Sequence, residues 1–427
     1  MSIFDFTSAK DKDKFLNNVV TPFLTEMILE DPFKRYMGDS GNSMIMKKSS
    51  LAKGDGTQIT YSLTYNGLVN EVYGEETLEG KGTMETPVNC TMNIGETRFA
   101  VGAKDFKIAE FQTKFKFNDT INEQLRIKST LLSKRRHINQ FAWCFAYGSK
   151  GADDNKSYEY GLKKGQTTSA FSTFFTPKIK NCVINQLDAS GNGISSDRVL
   201  FGAEPINNVI AAGQTVQQRC IVGNPAVNQP NIGTADYADG TSGYCNLDHI
   251  DKLIDMARKG GRKMGNEATI NPMFYQNYKG HSGFGYTYFI SPRVRTRLLK
   301  SPLFKELMIR PFREDGQPTY FNGTEYIGRI RNVDIVVVDE FEYLDITTDA
   351  DNVEIGYGAF CGAGAYTMAI CTQPMFTDQY FDHKKGFEIG VTMLDGMKVV
   401  KFPSKKYGDV VTFPRVEHGI IHSFTLI

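Results

Sequence analysis

An excess of charge of either sign is missing from this sequence: Lys and Arg number 49, Asp and Glu 48, and the formal net charge is +1. Without a global basic field, long-range recruitment of nucleic acid is excluded as the main task, although enclosing it is not. Paired cysteines are missing too. The seven, at positions 90, 144, 182, 220, 245, 361 and 371, never reach the C-x-x-C spacing of zinc ribbons, fingers and redox sites. Reduced thiols are the expectation. No window approaches the ~18 uninterrupted apolar residues of a membrane span. The charged start MSIFDFTSAKDKDKF has no apolar stretch of the kind a signal peptide needs. These absences predict a soluble protein made in a cytoplasm, with no membrane partner.

The usual carriers of chemistry are also lacking. There is no GxxxxGK(S/T) phosphate loop, no HExxH, no GxSxG, and no GxGxxG opening a βαβ unit; GAFCGAGAY has its glycines at the wrong spacing. Of the six histidines, only His418 and His422 are close. In an apparent strand, side chains four apart share a face but stand too far apart for one metal. Asp345, Asp349, Asp351 and Glu354 do not form an EF-hand pattern and read as a solvated loop. Cys144 and Cys361 sit in apolar surroundings and read as buried, inert thiols. Trp143, between Phe141 and Phe145, reads as core. No catalytic residue and no cofactor are expected.

What is present is a sequence of distinct parts. Residues 1–56 form an arm, in which Phe15-Leu16, Val19-Val20, Phe23-Leu24 and Met27-Ile28 put one apolar stripe on a helix. Residues 57–101 read as a long hairpin. Ile59, Tyr61, Leu63 and Tyr65 alternate on one limb, and Val88, Cys90, Met92 and Ile94 on the other. Between the limbs lie Glu71, Glu75, Glu76, Glu79 and Glu85, against a single Lys81. An isolated two-stranded ribbon is marginal in water, so this one needs a surface to rest on. If the rest of the chain is busy forming its own core, that surface belongs to a partner.

Residues 117–148 read as one helix, which at ~1.5 Å per residue spans roughly 45 Å. Lys134, Arg135, Arg136 and His137 cluster on it, either as a solvated face or as a surface toward DNA or an acidic neighbour. Residues 149–240 lack helical periodicity and read as a β-rich insertion. Residues 241–375 alternate between helices and strands, with an amphipathic helix in NLDHIDKLIDMARKGG, a buried strand in GYTYFISP and a helix start at Pro292. Residues 376–427 return to a β pattern that pairs with earlier strands.

Several segments carry a family likeness: GDGTQITYSL, GEETLEGKGTME, NQFAWCFAYG, HIDKLIDMARKGG, TYFISPRVRTRLLKSPLFKEL, NGTEYIGRIRNVDIVVVDEF, YGAFCGAGAYTMAI and GFEIGVTMLDGMKVVKF with HGIIHSFT. In this order they resemble the major capsid proteins of tailed phages with the Hong Kong 97-type fold, and their wording is similar to the capsid family of N4-like podoviruses. The resemblance covers most of the chain outside 149–240, a segment longer than the family pattern.

The resemblance implies an α+β fold. Its parts are an N-arm (1–56), an E-loop hairpin (57–101), a P-domain with a long spine helix (102–148), the β-rich insertion (149–240), an A-domain with a mixed sheet (241–375) and a C-terminal β return (376–427). It implies a structural, non-enzymatic protein that self-assembles into pentamers and hexamers of an icosahedral head enclosing double-stranded DNA. The expected location is the virion capsid, with assembly in the host bacterial cytoplasm. Scaffolding, portal and decoration proteins are the implied partners, and packaged DNA is met by non-specific contact. The E-loop contacts would be Glu71, Glu75, Glu76, Glu79, Lys81 and Glu85. The hairpin's glutamates call for a basic seat, for which Lys134, Arg135 and Arg136, or Arg258, Lys259, Arg262 and Lys263, are the candidates. Some relatives join subunits by a Lys–Asn isopeptide bond; Lys81 at the hairpin tip would be the candidate donor, and no second residue stands out as its partner. Rival readings are an encapsulin-like cargo shell, which shares the fold, and a mixed α/β enzyme.

Overall fold

Two sheets and a short ribbon organise the chain. The structure is a computed structural model. It describes residues 32–48, 58–63, 73–74, 79, 87–103, 199–201, 204–205, 245–259, 269–276, 282–304, 326–347, 354–370, 375–381, 386–403 and 415–427, with positions 125, 128–129, 132–134, 136–138 and 140–141.

The first sheet has six strands. Its path runs β1 (Met37–Gly38), β2 (Ile45–Lys48), β14 (Tyr366–Ile370), β16 (Gly386–Val399) and β15 (Met375–Phe381), with β5 (Gly95–Ala103) also on β16. The stretches FEIGVTML and MKVVKF thus belong largely to one 14-residue strand, long enough to serve β15, β5 and β14 in turn.

The second sheet has nine strands. Its path is β10 (Tyr326–Ile330), β11 (Val333–Val337), β9 (Ser282–Ile290), β13 (Glu354–Cys361), β19 (Ile420–Leu426), β6 (Val199–Phe201) and β7 (Glu204–Pro205). Beside this path, β12 (Ile346–Thr347) pairs with β13 and β8 (Met273–Gln276) with β9. The β10–β11 turn places Arg331 and Asn332 at positive φ, 51° and 64°, the primed hairpin geometry that matches strand twist. A further pair joins β17 (Lys401–Pro403) to β18 (Arg415–Glu417). The ribbon is β3 (Gln58–Leu63) with β4 (Val88–Asn93).

The centre of the nine-stranded sheet is buried on both faces, and period-two alternation sorts its side chains. Tyr286, Tyr288, Ile290, Val333, Ile335, Val337, Phe360 and Ile421 face α1 (Leu247–Lys259) and α2 (Pro292–Lys300). Both helices follow from sequence. Leu247, Ile250, Leu253 and Ala257 make one stripe on α1. Ser291 caps α2 by accepting from the Val294 N–H, and Pro292 occupies its first turn. The opposite sheet face supplies Phe289, Val336, Tyr357, Ala359 and Phe424 to a second core shared with Phe33, Phe141, Tyr366 and Val399. Every described position from 125 to 141 is helical, and Ile138 and Phe141 enter that same core.

Sheet membership cuts across the expected order of parts. Residues 32–48, read as arm, are core: Phe33, Met44 and Ile45 are fully buried, and β2 runs parallel to β14. The apolar stripe at 15–28 lies outside the described residues. β5, read as the end of the hairpin, instead pairs with β16 over nine residues. β14 lies in the six-stranded sheet although its chain neighbour β13 lies in the other. Of the 149–240 segment, β6 is built into the nine-stranded sheet, parallel to β19.

Candidate assembly interface

The ribbon's register places Ile59 opposite Met92 and Tyr61 opposite Cys90, as the alternation predicts. Its base has a seat within its own chain. Ile59 and Met92 cluster with Ala369 of β14, and Tyr61 and Ile94 pack beside them. Thr367 Oγ1 lies 3.4 Å from Met92 Sδ. From β16, Lys398 Nζ donates to the Thr91 carbonyl at 2.7 Å. Burial pushes the Tyr61 phenol pKa up, opposed by a hydrogen bond with Thr367. The expectation that the whole ribbon needs a foreign surface is therefore corrected for its base.

Beyond the base, Tyr73 is 75% exposed, Gly74 takes a left-handed φ of 72°, and Glu79 is exposed. Glu71, Glu75, Glu76, Lys81 and Glu85 lie outside the described residues.

The basic candidates separate. Arg136 is buried and its Nη1 pairs with Asp395 Oδ2 on β16, so it is not a landing surface. The helix periodicity carried that signal, because 125, 129, 132, 136 and 140 fall on one face, and Leu125, Ser129, Arg136 and Gln140 are all buried. His137 turns inward as well. Its Nδ1 is 2.7 Å from the Tyr366 hydroxyl and its ring stacks on Phe33 at 4.8 Å. Lys134 pairs with Glu340 at 3.4 Å. Arg258, near the end of α1, is exposed. It acts on Tyr286, whose phenol pKa burial raises and Arg258 lowers. Arg135, Arg262, Lys263 and the Lys259 side chain lie outside the described residues.

Three features escaped the sequence reading. Asp345, read as part of a solvated loop, is buried. Its Oδ1 accepts from the Tyr357 N–H at 2.8 Å, and its Oδ2 has no hydrogen-bond partner among the described residues. Burial raises its pKa from 3.8 to about 7, against hydrogen bonds from Tyr357 and Ser291 and the charge of Arg293. Next to it, Tyr357 OH meets His422 Nδ1 and His422 Nε2 meets Glu417 Oε2, each at 2.7 Å, in a buried relay that ties β13, β18 and β19 together. On the surface, Phe274 and Phe284 face each other across β8 and β9, edge-on with ring centroids 5.5 Å apart. They are 46% and 57% exposed.

A family model described as phage capsid protein matches residues 16–422. No curated protein matches the sequence. Among solved structures, the cyanophage Pam1 capsid asymmetric unit is similar with a TM-score of 0.60 at 17% identity, covering 93% of each chain. The capsid of Ralstonia phage GP4 gives 0.58 at 15% identity, over 93% of this chain and 91% of that one. The acidic stable capsid of Helicobacter pylori bacteriophage KHP30 gives 0.53 at 13% identity, over 93% and 91%. At these identities the likeness is one of fold.

Proposed function

The chain belongs to the phage capsid protein family, and from that membership we propose that its copies close into pentamers and hexamers of an icosahedral head around double-stranded DNA. Its fold is of the Hong Kong 97 type, its role is structural rather than enzymatic, and its place is the virion capsid. Within the family, we assign it to the N4-like podovirus group on segment wording. A scaffolding protein, a portal and decoration proteins are the partners of this reading, and assembly takes place in the host cytoplasm. With a net charge of +1, contact with packaged DNA is non-specific and weak.

The ribbon is the observation that supports this mechanism best. Its base is fixed to β14 and β16, while Tyr73 and Glu79 beyond it are exposed. A ribbon anchored at its base, with exposed residues beyond it, suits a heterologous contact, in which one surface patch meets a different patch on the next copy until a ring closes. Each stable contact of this kind buries on the order of 1,000 Å² or more. Ordering the hairpin offsets much of the gain, so shell stability comes from many modest contacts. With Arg136 turned inward and Lys134 held by Glu340, the Arg258 end of α1 is the basic surface that fits the hairpin's glutamates. Deleting residues 68–84 tests the mechanism. The expected product is a folded protein that makes no shells, and normal particles in electron micrographs would refute the hairpin's role.

A further inference from the structure

Two helices cover the same face of the nine-stranded sheet, and they differ in charge. α1 balances Asp248, Asp251 and Asp255 against Lys252, Arg258 and Lys259, and Asp251 pairs with Arg331 from the β10–β11 turn. α2 carries Arg293, Arg295, Arg297 and Lys300 among its nine residues and no carboxylate. Val294 and Leu298 turn into the core. The four cations then divide. Arg293 is held by Glu342 at 3.1 Å, and Arg297 Nη2 donates to the Ile427 carbonyl at 2.9 Å. Arg295 and Lys300 are exposed together with Thr296, and neither cation has a carboxylate partner among the described residues. In a chain whose net charge is +1, this is a local surplus that the fold leaves uncompensated.

We propose that the outer face of α2, through Arg295, Thr296 and Lys300, is where this chain meets the phosphate backbone of duplex DNA. The inference rests on the capsid reading above for its occupant and gives the non-specific contact of that reading a place. The chemistry of the face favours a duplex over a protein. Protein interfaces are depleted of charge at their centres and enriched in aromatic side chains. None of the exposed residues of α2 is apolar: Pro292 and Leu299 are half-buried, and Leu303, 60% exposed, lies beyond the Ser301 cap. Guanidinium, ammonium and hydroxyl groups are instead the side chains that bind phosphate oxygens. Spacing fits as well. Arg295 and Lys300 stand five residues apart, roughly 7.5 Å along the helix axis, and a duplex offers a charge every ~1.7 Å of its own axis. Both cations therefore find a phosphate without a particular register or base sequence. Two phosphates per copy make a weak contact, which gains strength only when many copies face one duplex.

The salt dependence of duplex binding tests the assignment. A fluorescent duplex of about 30 base pairs is titrated with unassembled protein between about 20 and 200 mM KCl, and log K is plotted against log salt concentration. Arg295→Gln combined with Lys300→Gln should keep the wild-type Tm and reduce the slope by about 1.8, two phosphate contacts at ~0.9 each. A slope equal to wild type, a lowered Tm, or no binding by wild type at about 20 mM overturns the proposal. Lys48→Gln combined with Lys128→Gln removes two exposed cations elsewhere and should leave the slope unchanged; an equal fall would spread the contact over the whole surface and overturn its place on α2. Unlabelled duplex should compete about tenfold better per charge than polyglutamate, because its charge density is higher. Equal competition would assign the face to an acidic protein and remove the duplex as occupant. Electron micrographs separate this inference from the reading it rests on. The Arg295/Lys300 variant should still make normal shells, and their loss in that variant alone would put α2 between copies and overturn the proposal. If wild-type protein itself yields no shells, the capsid reading has failed and the duplex falls with it.

Discussion

The buried pair between Arg136 and Asp395 offers the sharpest energetic test. The side chains are 5% and 6% exposed, and the pair ties the helical turn at 136–138 to β16. Asp395 sits where β16 changes partners, opposite Gly95 of β5 and Ile370 of β14. Arg136→Leu would strand a carboxylate in a dry site, a loss of about 3–5 kcal/mol. Asp395→Leu would strand a guanidinium at a similar cost. Against a total stability of about 5–15 kcal/mol, either change is severe. The double variant, with leucine at both positions, should recover most of the loss, because neither charge is then left alone. Urea unfolding of unassembled protein, followed by far-UV circular dichroism at constant m, measures all three. Single variants that each lose less than about 1 kcal/mol, or a double variant that loses their sum, would refute the assignment of Arg136 to the interior.

Two further outcomes follow from the packing. Because Asp345 titrates near 3.8 when unfolded and about 7 when folded, the folded state holds the proton more tightly. The stability this confers is fully present below about pH 3.8 and is lost as pH rises through about 7. Asp345→Asn should flatten that part of the Tm–pH curve, and an unchanged slope from pH 5 to 8 would contradict it. Gly419 allows no side chain, since a Cβ there would meet Ala365 N at 2.7 Å and Ala363 O at 2.8 Å. Gly419→Ala should cost about 1–3 kcal/mol by chemical denaturation. Gly41→Ala, where a Cβ meets nothing, should stay within about 0.5 kcal/mol of wild type.

Local pattern was the legible part of this sequence. Alternation at Ile59, Tyr61, Cys90 and Met92 gave the ribbon its correct face, and the stripe through Leu247, Ile250 and Leu253 gave α1. Pairing partners were not legible, because alternation says which side chains turn inward but not which sheet a strand joins. Thus β13 and β14, joined by Gly362–Ala365, separate into different sheets. Charge misled for the same reason. Arg136 beside Lys134 looks like a surface cluster until the partner 259 residues away, Asp395, is known. Asp345 likewise sits in an acidic stretch, and only the arrival of Tyr357 and Ser291 shows it to be enclosed. The aromatic pair at Phe274 and Phe284 gave no signal, since an alternating row reads the same whether or not a helix covers its end.

The place of β19 within its sheet bears on when a newly made copy becomes useful. This strand lies between β13 and β6, with Phe424 opposite Tyr357 on one side and Phe201 on the other. A ribosome reaches it roughly 220 residues after β6, a delay of about 10–40 s at ordinary synthesis rates. Until it emerges, β13 and β6 each keep an unpaired edge, and the relay from Tyr357 through His422 to Glu417 is incomplete. The nine-stranded sheet is therefore completed only with the last residues of the chain. A product of premature termination lacks the strand that joins β13 to β6 and the histidine of the relay.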